Sequence, residues 1–329
     1  MTPSSSPSPR ADRAYAGGMT EEGVVQETTI EPGGAERGLQ TRRRLVPYYL
    51  LGPAGVWLLL FLFLPMLLLA YTSLQSGGIL SGGFRFTWEF SNYADGIQQY
   101  QKFFIRSVEY SLIVTFVALL LAYPMTYWIA FYGGRWKSSL LLLILIPFFV
   151  SFVIRTIQWK FILGDNGFIL APLKSLGILP DSYHVLATPL AVVAGITYNF
   201  IPFTALPLYV ALERIDKRLV EAAKDLYSSR WQAFRHVVWP LSLPGVFAAF
   251  LLTFVPATGD YVNAAVLGGP GTTMIGNIIQ DKFLTQNDYP EAAALSVILM
   301  LGMLVLASLY ARILGTEDST ITAAAGGAA

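Results

Sequence analysis

The sequence predicts an all-α polytopic membrane protein with six transmembrane helices, and three observations carry that prediction. Hydrophobic residues make up 54% of the 329 residues and charged residues 13%, against roughly 25% charged in an average soluble domain. Six apolar stretches are long enough to cross a bilayer. Fifteen of the 22 Lys and Arg then fall on one side of the membrane and seven on the other, the asymmetry expected when both termini are cytoplasmic.

Residues 1–44 mix Pro, Gly, Ser and charge without an apolar period, so they bury too little surface to offset ordering entropy. They read as a disordered cytoplasmic tail with a basic end at Arg42, Arg43 and Arg44. The uncharged run 45–70 follows, long enough at 1.5 Å per residue for a hydrocarbon core of about 30 Å. A cleaved signal would have an apolar region of only about 7 to 15 residues, so this run reads as a retained span. Five further stretches, 108–132, 139–163, 187–212, 245–267 and 292–314, complete a membrane domain over 45–315, leaving 316–329 as a short cytoplasmic tail. A five-span chain would put the C-terminus outside; the clean length of the last stretch argues against it.

Composition also excludes. A net charge of +1 leaves no basic surplus for binding a nucleic acid backbone. With no cysteine there is no disulfide framework, thiolate metal site or cysteine nucleophile. The two histidines, His184 and His236, are too few for a His-rich metal site, and no metal site is expected.

The inward segment 213–243 carries the most information. Leu219, Ala222, Ala223, Leu226 and Tyr227 recur at helical spacing opposite Lys217, Arg218, Lys224 and Asp225, which predicts an amphipathic helix outside the lipid. Residues 228–230 turn the chain into a second short helix over 231–238, expected to end at Pro240 and Pro244. An interfacial helix lying on lipid headgroups would share this amphipathicity.

Glu221-Ala222-Ala223, followed at the right interval by Val237-x-Trp239-Pro240, resembles the EAA loop of permease subunits in binding-protein-dependent ABC importers. That pattern is E-A-A, three residues, Gly, nine residues, then I-x-L-P. Tyr227 stands at the glycine position and Trp239 where leucine is common. The resemblance implies a type I permease whose coupling-helix hairpin, with Glu221, Ala222, Ala223, Leu226, Tyr227 and Arg230, docks on a separate ATPase. It also implies a second permease, two ATPase subunits and an extracytoplasmic binding protein in a cell inner membrane. Around Ile154-Arg155-Thr156, Trp159, 163–167, 259–261 and 267–270 the chain is similar to the polyamine branch, the PotB-type spermidine/putrescine permeases. Importers of ferric ion, opines or phosphonates share much of this pattern and remain alternatives. An autonomous secondary transporter or channel would be expected to show internal repeats with broken spans, which the sequence does not suggest.

No phosphate-binding GxxxxGK[ST] loop is present, and no Gly precedes a Lys. ATP and Mg are therefore expected in the partner ATPase, with no cofactor in this chain and no catalysis of its own. Three look-alikes are set aside for want of context. Residues 80–83 imitate an ABC signature, 165–167 part of a calcium loop, and 268–271 a phosphate cradle.

Ionisable groups at a span centre cost about 2.5 to 3.5 kcal/mol on insertion scales, so those present are functional candidates. Arg155 and Asp260 lie at matching depth in the outer half of their stretches, with Trp159, Tyr198, Asn199 and Tyr261 near the same level. As implied by a polycationic cargo, carboxylates and aromatic faces would line its path; Asp260 with Tyr261 fits. The alternative is an Asp260–Arg155 ion pair that only neutralises both charges.

Overall fold

The computed structural model describes residues 34–78, 82–227 and 229–326. Residues 1–33 of the expected tail, and Leu80 and Ser81 of the signature look-alike, lie outside the described residues. By internal contacts the chain divides after Leu62. In the first unit, helix α1 (Gly34–Ser73) begins, upstream of the residue-45 start expected from hydropathy. Ala, Glu, Arg, Leu and Gln between 34 and 44 are strong helix formers and carry the helix back into the basic segment.

The second unit is a helical bundle. It opens with a two-stranded antiparallel hairpin, β1 (Gln75–Gly78) and β2 (Gly83–Phe86), pairing Gln75 with Phe86 and Gly78 with Gly83. This is an addition to the all-α expectation. Gly77 has φ +104°, and a Cβ there would meet the Gly83 carbonyl oxygen, so only glycine fits. Asn92 ties the hairpin to the next helix by donating to the Ser73 and Gln75 carbonyls at 2.9 and 3.0 Å.

Helix α2 (Ser91–Tyr132) has 42 residues, about 63 Å at 1.5 Å per residue. That is twice a hydrocarbon core of about 30 Å, so a single continuous helix extends well beyond the apolar run 108–132 on its N-terminal side. The third apolar run departs from the expected straight span. Helix α3 (Lys137–Leu145) tightens into a 3₁₀ turn at Ile146–Phe149, and α4 (Phe152–Ile162) leaves at 92°. Two extended residues, Val150 (ψ 140°) and Ser151 (ψ 134°), make the break. Among the described residues five helices are long and apolar enough to cross a membrane, and the number reaches six if this bent pair forms one span.

After α5 (Leu170–Ser175), Thr188 caps α6 (Pro189–Glu213) by accepting from the Ala191 N–H at 3.4 Å, with Pro189 at the first position. Asp216 accepts from the Arg218 N–H at 2.9 Å at the start of α7 (Lys217–Tyr227). Ser229 caps α8 (Arg230–Ala233) through the Gln232 N–H at 3.1 Å. A π-helical turn, Phe234–Val238, then leads directly into α9 (Trp239–Thr258). The second helix of the hairpin therefore does not end at Pro240 and Pro244. The π turn rearranges the carbonyls that Pro240 would otherwise clash with, so proline is absorbed instead of breaking the helix.

The fifth span also ends early. Helix α9 stops at Gly259, and a separate short helix α10 (Val262–Leu267) follows, so the run 245–267 is two elements. A 3₁₀ turn (Pro270–Thr272), α11 (Ile275–Leu284) and α12 (Tyr289–Gly326) complete the chain. Helix continues through most of the residues expected as a C-terminal tail.

Helices α2, α6 and α9 form the centre, and Tyr110, Val114, Ile196, Phe200 and Ala257 interlock there with Ala264 of α10. Lipid is as apolar as leucine, so the packing rests on close approach and interhelical hydrogen bonds. At Gly245 a Cβ would meet Ala211 and sit 3.0 Å from the Pro207 carbonyl oxygen, which is how α9 comes up against α6. Thr204 and Thr253 join the same helices at 2.7 Å, and Tyr123 and Ser242 join α2 to α9 at 2.8 Å.

Candidate functional site

Two regions gather the residues singled out by sequence. One is the hairpin α7–α8. Val220 of α7 packs into a cluster with Ala130, Leu212, Ile215 and Val238, flanked by Tyr123, Tyr127 and Phe234. Ala223, one turn on, is buried too, at 4% exposure. Ala223 was expected on the face offered to a partner; instead it seats the hairpin on its own chain. The reason is angular: Val220 and Ala223 share one side of the helix, while Leu219, Ala222 and Leu226 fall on the next. Leu226 is 81% exposed, and Glu221, Ala222 and Arg230 are exposed as well. Trp231 is also exposed and stacks on Phe234 at 5.3 Å, extending the offered surface beyond the residues picked from sequence. The Tyr227 side chain and Ser228 lie outside the described residues; the Tyr227 backbone closes α7.

The second region is a buried polar network where α4, α6 and α10 meet. Gly195 makes the meeting possible, because a Cβ there would meet Leu267 and stand 3.0 Å from Asn263 Oδ1. Thr156 donates to Asn263 Oδ1 at 3.0 Å. Asn199 Nδ2 donates to Thr156 Oγ1 and to Asn263 Oδ1, both at 3.2 Å. Asn263 in turn donates its backbone N–H to Asp260 Oδ1 at 2.9 Å and its side-chain amide to Oδ2 at 2.7 Å. Asp260 thus restarts the helix after the break at Gly259, as a short polar side chain does at a helix start.

The six path candidates separate on this geometry. Asn199 and Asp260 belong to the network and are buried. Trp159 and Tyr198 pack ring to ring at 5.3 Å, with Trp159 against the cluster of Leu163, Leu170, Val185 and Leu267. Tyr261 is exposed, and its carbonyl accepts from Asn277 Nδ2 at 2.8 Å. Arg155 is buried, but no ion pair joins it to Asp260 among the described residues. Both Asp260 oxygens are already engaged by Asn263.

Thr156 and Asn263 were not picked out as site residues. They are neutral, and only the fold brings together positions 107 apart in sequence. The extramembrane loop after α4 holds a third cluster. Asp165 pairs with Lys174 at 3.0 Å and with His184 at 2.7 Å, and those hydrogen bonds hold its carboxyl below the usual range. The 165–167 segment thereby forms a charged turn, and no group of acidic or histidine side chains suited to a metal occurs among the described residues.

Residues 116–315 match the model of the family described as binding-protein-dependent transport system inner membrane component. The chain is 34% identical over 257 residues to the spermidine/putrescine transport system permease protein PotB of Escherichia coli (strain K12), covering 78% of this chain and 93% of that protein. To PotB of Salmonella typhimurium (strain LT2) it is 33% identical over 270 residues, 81% of this chain and 94% of the relative. Among solved structures, a bacterial ABC transporter involved in import of the acidic polysaccharide alginate matches with a TM-score of 0.60 at 20% identity, over 84% of this chain and 98% of that one. That likeness bears out the type I permease architecture. From its helices, its EAA-type hairpin and these matches together, the chain belongs to the binding-protein-dependent family of inner-membrane ABC permeases.

Proposed function

We propose that the chain is the PotB-type permease subunit of a polyamine importer, forming part of the path for spermidine or putrescine delivered by an extracytoplasmic binding protein. The single observation that supports this most is identity of 33–34% to PotB proteins over nearly the whole of their length. Membership of a transport permease family supports a non-catalytic role. ATP and Mg would then act in two partner ATPase subunits, and a second permease would complete the path. In this reading both termini are cytoplasmic, following the Lys and Arg asymmetry.

The exposed Leu219, Ala222, Leu226 and Trp231, with Glu221 and Arg230 beside them, supply the surface that would receive the ATPase. The hairpin is fixed to the bundle through Val220 and Ala223, so a push on its outer face would pass to α2, α6 and α9. Uptake of radiolabelled spermidine and putrescine into proteoliposomes holding both permeases, the ATPase and the binding protein tests the reading. ATP-dependent polyamine uptake is expected. Uptake of ferric ion, an opine or a phosphonate without polyamine uptake overturns it.

A further inference from the structure

The bend between α3 and α4 opens a cavity of about 410 Å³ whose walls include Phe148, Phe152, Phe200, Phe203 and Asn199, with Arg155 on its lining. Arg155 is only 7% exposed. Its Nε and Nη1, and Asn199 Oδ1, have no hydrogen-bond partner among the described residues. The guanidinium lies 5.7 Å from the Phe152 ring, a contact that does not replace a counter-ion for a buried charge. It also sits in the opening turns of α4, where the positive end of the helix dipole opposes it.

Among the described residues no carboxylate forms an ion pair with it. Both Asp260 oxygens accept from Asn263, while Asp165 pairs with Lys174 and His184 and Glu213 with Lys137. An anion from outside the chain would satisfy it. The walls are aromatic and the neighbouring surface at Phe149, Val150 and Val153 is exposed and apolar, suited to another membrane-embedded protein. A polycationic cargo would be repelled by a bare guanidinium, so a carboxylate fixed on a protein stem both satisfies Arg155 and clears the path of its charge.

We propose that this cavity is a docking seat for the second permease subunit, which inserts an Asp or Glu side chain against Arg155 when the two permeases assemble. The inference rests on the reading of the chain as half of a two-permease importer. The whole importer is purified through a tag on this chain, with Arg155 native or changed to Gln, Lys or Glu. Arg155→Gln is expected to lower recovery of the second permease at least ten-fold, and Arg155→Lys to keep it within about two-fold. Arg155→Glu should be rescued by Lys in place of one membrane-depth acid of the second permease. Because a variant can fail to insert, a second measurement leaves Arg155 native: a photoreactive benzoylphenylalanine replaces Phe149 and should cross-link to the second permease. Undiminished recovery with Arg155→Gln, or cross-links to lipid alone, overturns the proposal. So does normal assembly of Arg155→Gln with lost uptake, which would give the guanidinium to a solute instead. Spermidine uptake by the native complex is scored separately: its absence beside Arg155-dependent assembly removes the polyamine reading and leaves the seat standing.

Discussion

Asn263 gives both of its nitrogen donors to one carboxylate, the backbone N–H to Asp260 Oδ1 and the side-chain amide to Oδ2, at 2.9 and 2.7 Å. That pairing makes Asp260 a helix-restarting residue at the α9–α10 break. Both of its oxygens are engaged within the chain, while its position is set by a network that reaches α4 and α6.

Removing the carboxylate should therefore cost stability before it costs transport. Asp260→Ala strands a buried amide and an N–H, and loss of such a cap and bond together amounts to about 1 to 3 kcal/mol. The thermal midpoint of the purified complex should fall, with Asp260→Asn, which keeps one acceptor oxygen, falling less. Lost spermidine uptake at an unchanged midpoint in both variants would instead assign the carboxylate to the cargo.

On the hairpin, the exposures at neighbouring positions predict opposite defects. Ala223→Asp forces a charge into the contact with the bundle and should reduce insertion and stability by several kcal/mol if the charge stays unpaired. Leu226→Asp, at an 81% exposed position, should leave insertion and thermal stability within about 0.5 kcal/mol of native. Co-purification of the ATPase should nevertheless drop sharply. Equal ATPase recovery with native and Leu226→Asp protein would move the docking surface elsewhere.

These two regions also mark where the sequence was readable. Apolar length revealed the membrane domain because any helix crossing lipid must satisfy its own backbone over about 20 residues. The hairpin was readable because its spacing is a local pattern. The bend at Val150 and Ser151 was not, since Pro147 ahead of it is no different in kind from Pro202, Pro207, Pro244 and Pro256, which lie inside the continuous helices α6 and α9. Nor was the boundary at Gly259, where Asp260 looked like a charge in a span until its bonds to Asn263 placed it at a helix start. Ala223 was misjudged because amphipathicity defines an apolar arc and leaves open which half of that arc the same chain covers.

A close approach can be tested with a matched control. At Gly195 an added methyl would meet Leu267 and crowd Asn263 Oδ1 at 3.0 Å, whereas at Gly302 in α12 nothing stands within 4 Å. Overpacking of this kind typically costs about 1 to 3 kcal/mol. A mid-helix Gly→Ala change in open space is favourable by about 0.5 to 1 kcal/mol. Gly195→Ala should thus lower the thermal midpoint and Gly302→Ala should hold or raise it. Similar shifts in both would mean that α6 and α10 have room to separate.

The loop cluster around Asp165 predicts an acid-dependent contribution of defined sign. Hydrogen bonds from Lys174, then His184, hold the Asp165 carboxyl below its ordinary value, near 3.9 in an unfolded chain. A carboxyl whose folded value is depressed binds fewer protons folded than unfolded as pH falls through the unfolded value. Its stabilising effect is therefore complete above that value and disappears as pH drops through the folded one. The difference in thermal midpoint between native protein and Asp165→Asn should persist down to about pH 5 and shrink in stronger acid. Because Asp165 is solvent-exposed, added salt should weaken the same difference at neutral pH. A difference that instead grew on acidification below pH 4 would show that the carboxyl is raised by its surroundings, and the pairing with Lys174 and His184 would have to be abandoned.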